Sequence, residues 1–227
     1  MNAQRHRALR IFAFSVTQLL FKKSLMHATP SDKVYALFIL GHAGTGKSWL
    51  THRFVSQQHE QGRSWCVLDK DVVSEVWTGP LLAAHGQDPD DRDSPFFKEV
   101  ARDLGYQSTL RVGRDQIDHG TSVVFPGPWS RELASGAIFS PEALGLPAHT
   151  ELRHVWLDLP LEIRKQRIID RGDPRDKWKL AHWDEYTAAL NRPQAVIDGR
   201  IATLDASLEA EQQLARLSEI LINGVPA

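Results

Sequence analysis

The sequence predicts an α/β fold, a parallel five-stranded sheet with helices on both faces, from two observations. Short apolar runs alternate along the chain with helical patterns, the order of strand, crossover helix and next parallel strand. The first run, Val34-Tyr35-Ala36-Leu37-Phe38-Ile39-Leu40, leads directly into Gly41-His42-Ala43-Gly44-Thr45-Gly46-Lys47-Ser48 and then into an amphipathic segment with Trp49, Leu50, Phe54 and Val55. Strand, glycine-rich loop and helix in that order form a nucleotide-binding P-loop.

Each further element has its own signal. Trp65-Cys66-Val67-Leu68 reads as a second buried strand, ending in Asp69-Lys70-Asp71 and a helix through Val72, Val73 and Val76. A polar, Asp-rich stretch from His85 to Ser94 precedes a helical pattern from Phe96 to about Gly120. Ser122-Val123-Val124-Phe125 is the third strand, and Pro126-Gly127-Pro128 predicts that regular structure stops there. His154 to Leu159 is the fourth strand and Ile201 to Leu204 the fifth, followed by a helix from Leu208 to Ile222. Ligands of such sheets bind at the carboxyl ends of the strands.

At 227 residues and 42% hydrophobic, the chain suits one domain, expected over residues 31–227 after an extension over 1–30. The net charge of −1, from 27 basic and 28 acidic residues, gives no global attraction for nucleic acid or an anionic membrane, so local cations must carry any anion binding. Cys66, the one cysteine, excludes an internal disulfide and a cysteine-based zinc site, and agrees with a cytoplasmic location. It is expected as a small core residue. His85, His119, His149 and His182 show no transition-metal spacing.

In the extension, Arg5, Arg7 and Arg10 precede the apolar-rich run Ile11 to Phe21. Ser15, Thr17 and Gln18 interrupt that run, Lys22 and Lys23 follow it, and a small-x-small cleavage site is lacking, which argues against a signal peptide. The run is too short to span a bilayer. Leu9, Phe12, Val16 and Leu19 recur at helical spacing, so the readings are a short amphipathic helix or a disordered extension ahead of a start at Met26.

The spacing G-x-x-x-x-G-K-S has a physical basis. Glycines let the backbone curl so that successive N–H groups point at phosphate oxygens, Lys47 reaches the outer phosphates, and the Ser48 hydroxyl faces Mg²⁺. The helix that follows adds its positive end. ATP and Mg²⁺ are the expected cofactors, bound by Gly41, His42, Ala43, Gly44, Thr45, Gly46, Lys47 and Ser48 in a three-layer P-loop NTPase fold.

The other strand ends indicate the reaction. A carboxylate in Asp69-Lys70-Asp71 can take the proton of an attacking hydroxyl. Asp69 reads equally as the cap of the next helix, and Asp71 as the base or as part of the Mg²⁺ shell. Arg164, Arg167 and Arg171 share one helix face, and Gly172-Asp173-Pro174 ends that helix ahead of Arg175 and Lys177. Residues 161–186 therefore read as an arginine-bearing lid that stabilises transition-state charge, or as a solvated basic face paired with Glu162 and Asp170. The third strand ends in Pro126-Gly127-Pro128-Trp129 and not in the acidic residues of motor ATPases, which leaves the metal's second shell to Asp69, Asp71 or water.

From about Val34 to Ile222 the chain resembles the P-loop kinase group of AAA_33-type domains, polynucleotide 5′-kinases, zeta-type toxins, chloramphenicol phosphotransferase and gluconate kinase. The resemblance rests on Gly41 to Ser48, on Asp69-Lys70-Asp71, and on the strand and arginine lid from Val155 to Arg175. It implies that Asp71, with Asp69 next in line, is the base. It also implies that Arg167 and Arg171 contact the phosphates, with Arg164 and Arg175 as further candidates, and that the loop Thr203 to Ser207 borders the adenine. The Gly-His-Phe lid signature of gluconate kinases is missing, and Asp-Lys-Asp replaces the Arg-Asp-Asp of polynucleotide kinases.

The acceptor is expected between the second and third strands, near Asp88 to Ser94, Lys98, Arg102, Tyr106 and Arg111. Trp77 and Trp129 are read either as aromatic walls or as core. Aromatic walls with scattered polar groups suit a small polyhydroxylated or ring-containing molecule. The expected activity is ATP-dependent phosphotransfer to a small-molecule hydroxyl, with Lys47, Asp71, Arg167 and Arg171 as the catalytic set. The alternatives are a polynucleotide or RNA-end kinase, which the near-neutral charge disfavours, and a nucleotide-dependent switch without catalysis.

Overall fold

The computed structural model describes residues 33–224, so the expectations for the 1–30 extension lie outside the described residues. Five strands, β1 (Tyr35–Leu40), β2 (Trp65–Val67), β3 (Ser122–Gly127), β4 (Glu151–Asp158) and β5 (Ala202–Asp205), form one sheet in the order β2-β3-β1-β4-β5, with every pairing parallel. The central strand shows why its sequence is apolar throughout. Residues 36–40 are fully buried because helices cover both sides of the sheet.

Side chains of a strand alternate between faces, and β1 divides them cleanly. Ala36, Phe38 and Leu40 join Phe125, Trp156, Tyr106 and Ile117 on one side. Leu37 and Ile39 join Val124, Leu157, Phe54 and Leu217 on the other. The first side is roofed by α3 (Arg102–Asp118), which carries Tyr106 and Ile117. The second is roofed by α1 (Lys47–Glu60) and α9 (Ala210–Asn223). Three layers result. Each fully buried Leu or Phe contributes about 1.5–3 kcal/mol, so the two clusters account for much of the driving force.

The remaining helices are α2 (Lys70–Ala84), α4 (Ser130–Ser135), α5 (Leu161–Arg171), α6 (Lys177–Ala181), α7 (Trp183–Ala188) and α8 (Gln194–Ile197). A single π turn, Phe97–Ala101, feeds α3 without a break. No helix among the described residues is long and apolar enough to cross a membrane.

Regular structure does not stop at Pro126 as its sequence suggests, because β3 continues through Gly127, pairing Pro126 with Ile39 of β1. Alternate residues of a parallel strand bond to opposite neighbours. Val124 O faces β2, where it accepts from Leu68 N at 2.9 Å, so Pro126, two residues on, faces the same side beyond the end of β2. No ladder donor is required there, and proline is tolerated. Smaller differences occur at other ends: β4 starts at Glu151, β5 ends at Asp205 and α9 starts at Ala210. Cys66 is only half buried, in the short edge strand, where it packs against the first cluster.

Two glycines let α3 lie close to its neighbours. A Cβ on Gly105 would stand 2.9 Å from Lys70 Cδ, and one on Gly113 would stand 2.8 Å from Phe125 Cε1 and 3.3 Å from Leu68 Cδ1. Alanine is the better helix former by about 1 kcal/mol, but overpacking a filled core costs about 1–3 kcal/mol. Gly113→Ala is therefore expected to lower the urea midpoint of unfolding, while Gly120→Ala, where the added Cβ meets nothing within 4 Å, loses only through its φ of +79°.

Candidate active site

The carboxyl ends of β1, β2 and β3 open onto one cleft of about 480 Å³. Its floor is the loop between β1 and α1. Gly41, Gly44 and Gly46 take φ values of 144°, 81° and 93°, which only glycine adopts freely. Thr45 Oγ1 donates to His42 O at 2.9 Å, and Lys47 Nζ lies across the loop, donating to the same carbonyl at 2.7 Å. The side chains of His42 and Thr45 turn away from the cleft. The His42 ring packs edge-on against Trp156 at 5.0 Å, and Thr45 is buried. Burial, then Arg164 and Lys47, lower His42 to about 4, so it is neutral at pH 7.

Lys47 carries the principal electrostatic tension. Burial pulls it down to about 8, helped by Arg164 and Arg171 and opposed by Asp69 and Asp71. The β2 end answers this charge. Asp69 caps α2 by accepting from Asp71 N at 2.9 Å through Oδ1, while its Oδ2 accepts from Ser48 Oγ at 3.1 Å. A hydroxyl and a carboxylate in contact are hard oxygen donors of the kind Mg²⁺ selects, so Ser48 and Asp69 fit the expected cation. No cluster of three or more His, Cys, Asp or Glu among the described residues forms an all-protein metal cage. The oxygen set of Ser48, Asp69 and phosphate does not need one.

Asp71 follows in the first turn of α2, half exposed and paired with Lys70. Burial pushes its carboxyl up, but the Lys70 charge and hydrogen bond, with Arg175 and Arg92, outweigh that and hold it below the usual carboxylate value.

The arginines separate into different jobs. Arg164 is 6% exposed and donates from Nε to Ala43 O at 3.0 Å, which makes it a strut under the loop and not a lid residue. The 161–186 segment expected as a lid therefore starts with a helical turn fixed against the loop. Arg167 reaches Thr45 O and Ala206 O, both at 3.4 Å, and the loop after β5 meets the site through that carbonyl. Arg171 pairs with Asp176, and Arg175 pairs with Asp173 and, at 3.0 Å, with Glu75. The hydrogen bond from Arg175 holds Asp173 down at about 2. Glu162 and Asp170 are not the partners of these arginines: Asp170 accepts from Gln166 at 2.7 Å.

On the opposite wall Lys98, Arg102 and Tyr106 line the cleft as expected, and Arg111 and Trp77 do not. Trp129 is no acceptor wall. It is fully buried, edge-on to Phe38, Tyr106 and Phe125, at a left-handed φ of 45°. Lys70, Arg92, Phe97 and Lys179 also line the cleft. Lys179 stands one helical turn after Arg175, a spacing visible in the sequence. Phe97 depends on the π turn, which no residue pattern announces.

The family model described as an AAA domain, AAA_33, matches residues 37–193. The chain belongs to this AAA_33 family. Comparison with curated proteins finds no match. Among solved structures, the protein APE1195 is 17% identical with a TM-score of 0.55, covering 86% of this chain and 98% of its own. The APS kinase CysC of Mycobacterium tuberculosis, solved with AMPPNP and APS, is 19% identical with a TM-score of 0.53, covering 84% of this chain and 99% of its own. A proposed kinase of Chloroflexus aurantiacus j-10-fl is 13% identical with a TM-score of 0.50, covering 86% and 100%. At these identities the likeness is one of fold, and the AAA_33 chain has the P-loop kinase fold.

The position of Lys47 sets a pH dependence. Phosphate favours the ammonium form, whereas the free protein begins to lose that proton at about pH 8. The affinity for the magnesium complex of AMPPNP is expected to be flat below about pH 8 and to weaken by up to about tenfold per pH unit above it. Calorimetry in buffers of different ionisation heat should show proton uptake above pH 8, absent in Lys47→Arg.

Proposed function

We propose that this protein transfers the γ-phosphoryl group of ATP to a hydroxyl of a small acceptor. One observation carries the reading: Asp71, ionised and accessible, opens onto the same cleft as Lys47, Ser48, Arg167 and Arg171. A nucleotide-binding switch would need the loop but not a carboxylate facing an acceptor space.

In this reading the acceptor's oxygen attacks Pγ, its proton passes to the Asp71 carboxylate, and the bond from Pγ to the bridging oxygen breaks to release ADP. Lys47, Arg167 and Arg171 face the charge that spreads over the phosphoryl oxygens. Ser48 and Asp69 would hold Mg²⁺, which when bound neutralises the β- and γ-phosphate oxygens. Pro126, Gly127 and Pro128 give the third strand end no acid to activate water, which favours transfer over hydrolysis. The cationic wall of Arg92, Lys98 and Arg102 favours a nucleic-acid 5′ end as the second reading.

The two aspartates are expected to separate experimentally. Asp71→Asn should lower kcat by about 10²–10⁴ with little change in ATP affinity, the range for loss of a general base. Asp69→Asn should instead raise the Mg²⁺ concentration needed for half-maximal rate with little change in melting temperature, because asparagine caps a helix about as well as aspartate. Full activity in Asp71→Asn would overturn the assignment. Since Asp71 is held below the usual carboxylate value, the acid limb of kcat/KM should fall below that value and leave neutral pH on the plateau.

A further inference from the structure

We infer that the acceptor is an anionic alcohol, bearing a phosphate, sulfate or carboxylate apart from the hydroxyl that reacts, and that Arg92 and Lys98, supported by Lys70 and Arg102, bind this second group. The inference rests on the phosphotransfer reading and names the acceptor class.

Among the described residues the cleft is lined by nine Lys or Arg side chains and four Asp. A magnesium-bound triphosphate, with two negative charges left, does not balance that excess. The cations also fall into three groups. Lys47, Arg167 and Arg171 border the phosphate loop. Arg175 and Lys179 are paired with Asp173, Glu75 and Asp176, and the remaining four gather across the cleft around two rings: Lys70 Nζ lies 5.7 Å from both the Phe97 and Tyr106 centroids, Arg92 Cζ lies 5.4 Å from Phe97, and Arg102 Cζ lies 4.6 Å from Tyr106. Lys98 follows Phe97 directly and stands 6.0 Å from the Trp178 ring.

Carboxylates account for only part of this group: Lys70 pairs with Asp71, but Arg92 and Lys98 are left over. Arg92 donates to the backbone oxygens of Pro89 and Asp91, at 2.9 and 2.7 Å, and neither Arg92 nor Lys98 has a carboxylate within ion-pair distance among the described residues. Arg102 shares Asp103 with Arg131. Like charges gathered in a half-enclosed cleft repel one another, and an oxoanion between them relieves that repulsion.

A neutral polyol is the poorer match. Its hydroxyls need acceptors as well as donors, yet the lining contains no Asn, Gln or Thr, Asp173 and Asp176 are taken by Arg175 and Arg171, and Asp69 is taken by Ser48 and the Asp71 amide. Asp71 remains, which suits one reacting hydroxyl. Stacking of an aromatic acceptor is not offered either: Phe97 is 6% and Tyr106 3% exposed, a floor beneath the cations. The π turn at Phe97–Ala101 contributes to the arrangement, since one extra residue turns the preceding segment by about 100° and sets the direction from which Phe97 and Lys98 approach the cleft.

Two measurements test the subsite. Sulfate is titrated into the full chain saturated with the magnesium complex of AMPPNP, so that the donor site is filled. Arg92→Gln and Lys98→Gln are expected to weaken sulfate binding by about tenfold each, the effect of losing one charge-assisted contact, and the double variant by more. Unchanged sulfate affinity in the double variant, with its melting temperature and AMPPNP binding retained, overturns the subsite. Phosphotransfer is then compared across matched pairs: ribose and ribose 5-phosphate, glycerol and glycerol phosphate, a nucleoside and its 5′-monophosphate. The anionic member is expected to lead in kcat/KM by at least about tenfold, through KM, and to lose that lead in the double variant; preference for the neutral members overturns the inference. Transfer to no acceptor in the presence of bound ATP overturns the phosphotransfer reading and with it the acceptor class, while the sulfate titration still decides the anion subsite.

Discussion

The curl of residues 41–48 is the constraint on which the site depends, and the space around it explains why so little variation is possible. A Cβ on Gly44 would lie 2.7 Å from the backbone oxygen of Arg164, and one on Gly41 would lie 3.0 Å from Leu157 O. The glycines are therefore needed for close approach as well as for positive φ. β4 and α5 form a mould for the loop, and Arg164 completes it by donating from below to Ala43 O. This works because the sheet order sets β4 beside β1. From the moulded loop follow the aim of Lys47 and the meeting of Ser48 with Asp69.

A mould that gathers so many cations needs internal acids to remain folded. Asp176 is 3% exposed and is held between Arg171 and Lys179, the latter at 3.3 Å. Asp173 and Glu75 hold Arg175. Breaking one partner of such a buried set leaves a charge uncompensated, so residues 171–179 behave as a network and not as independent arms. Phosphate oxygens compete for the same guanidinium donors.

Local patterns made much of this legible in the sequence. β1, the loop, the β2-end aspartates and the arginine row are all written within windows of fewer than a dozen residues, where periods of 2 and 3.6 and a short motif suffice. Features decided by distant neighbours were not legible. Pro126 reads as a stop because its sequence cannot reveal that β2 ends opposite Val124. Trp129 reads as a wall as readily as core, since only the fold brings Phe38 and Tyr106 onto its faces. Arg164 shares its helix face with Arg167 and Arg171, yet lies one turn deeper, so helical spacing groups what burial separates. Phe97 is hidden by a π turn, a one-residue irregularity inside a continuous helical pattern.

The pair Asp69 and Asp71 shows how one residue can join the two halves of the cleft. Asp69 is extended, at φ −74° and ψ 121°, the geometry of a helix N-cap, and its two oxygens have different partners. One holds the Asp71 amide at the start of α2, and the other holds the Ser48 hydroxyl at the start of α1. Cap and metal-side carboxylate, which look like alternatives in the sequence, are compatible because a carboxylate accepts through both oxygens. Asp71, bonded on its side chain to Lys70 and half exposed, keeps lone pairs open to the cleft. The consequence is mechanical: through Asp69 the helix that carries the proposed base is tied to the helix that begins at Lys47. The spacing of Lys47 and Asp71 is then a property of the helix cap.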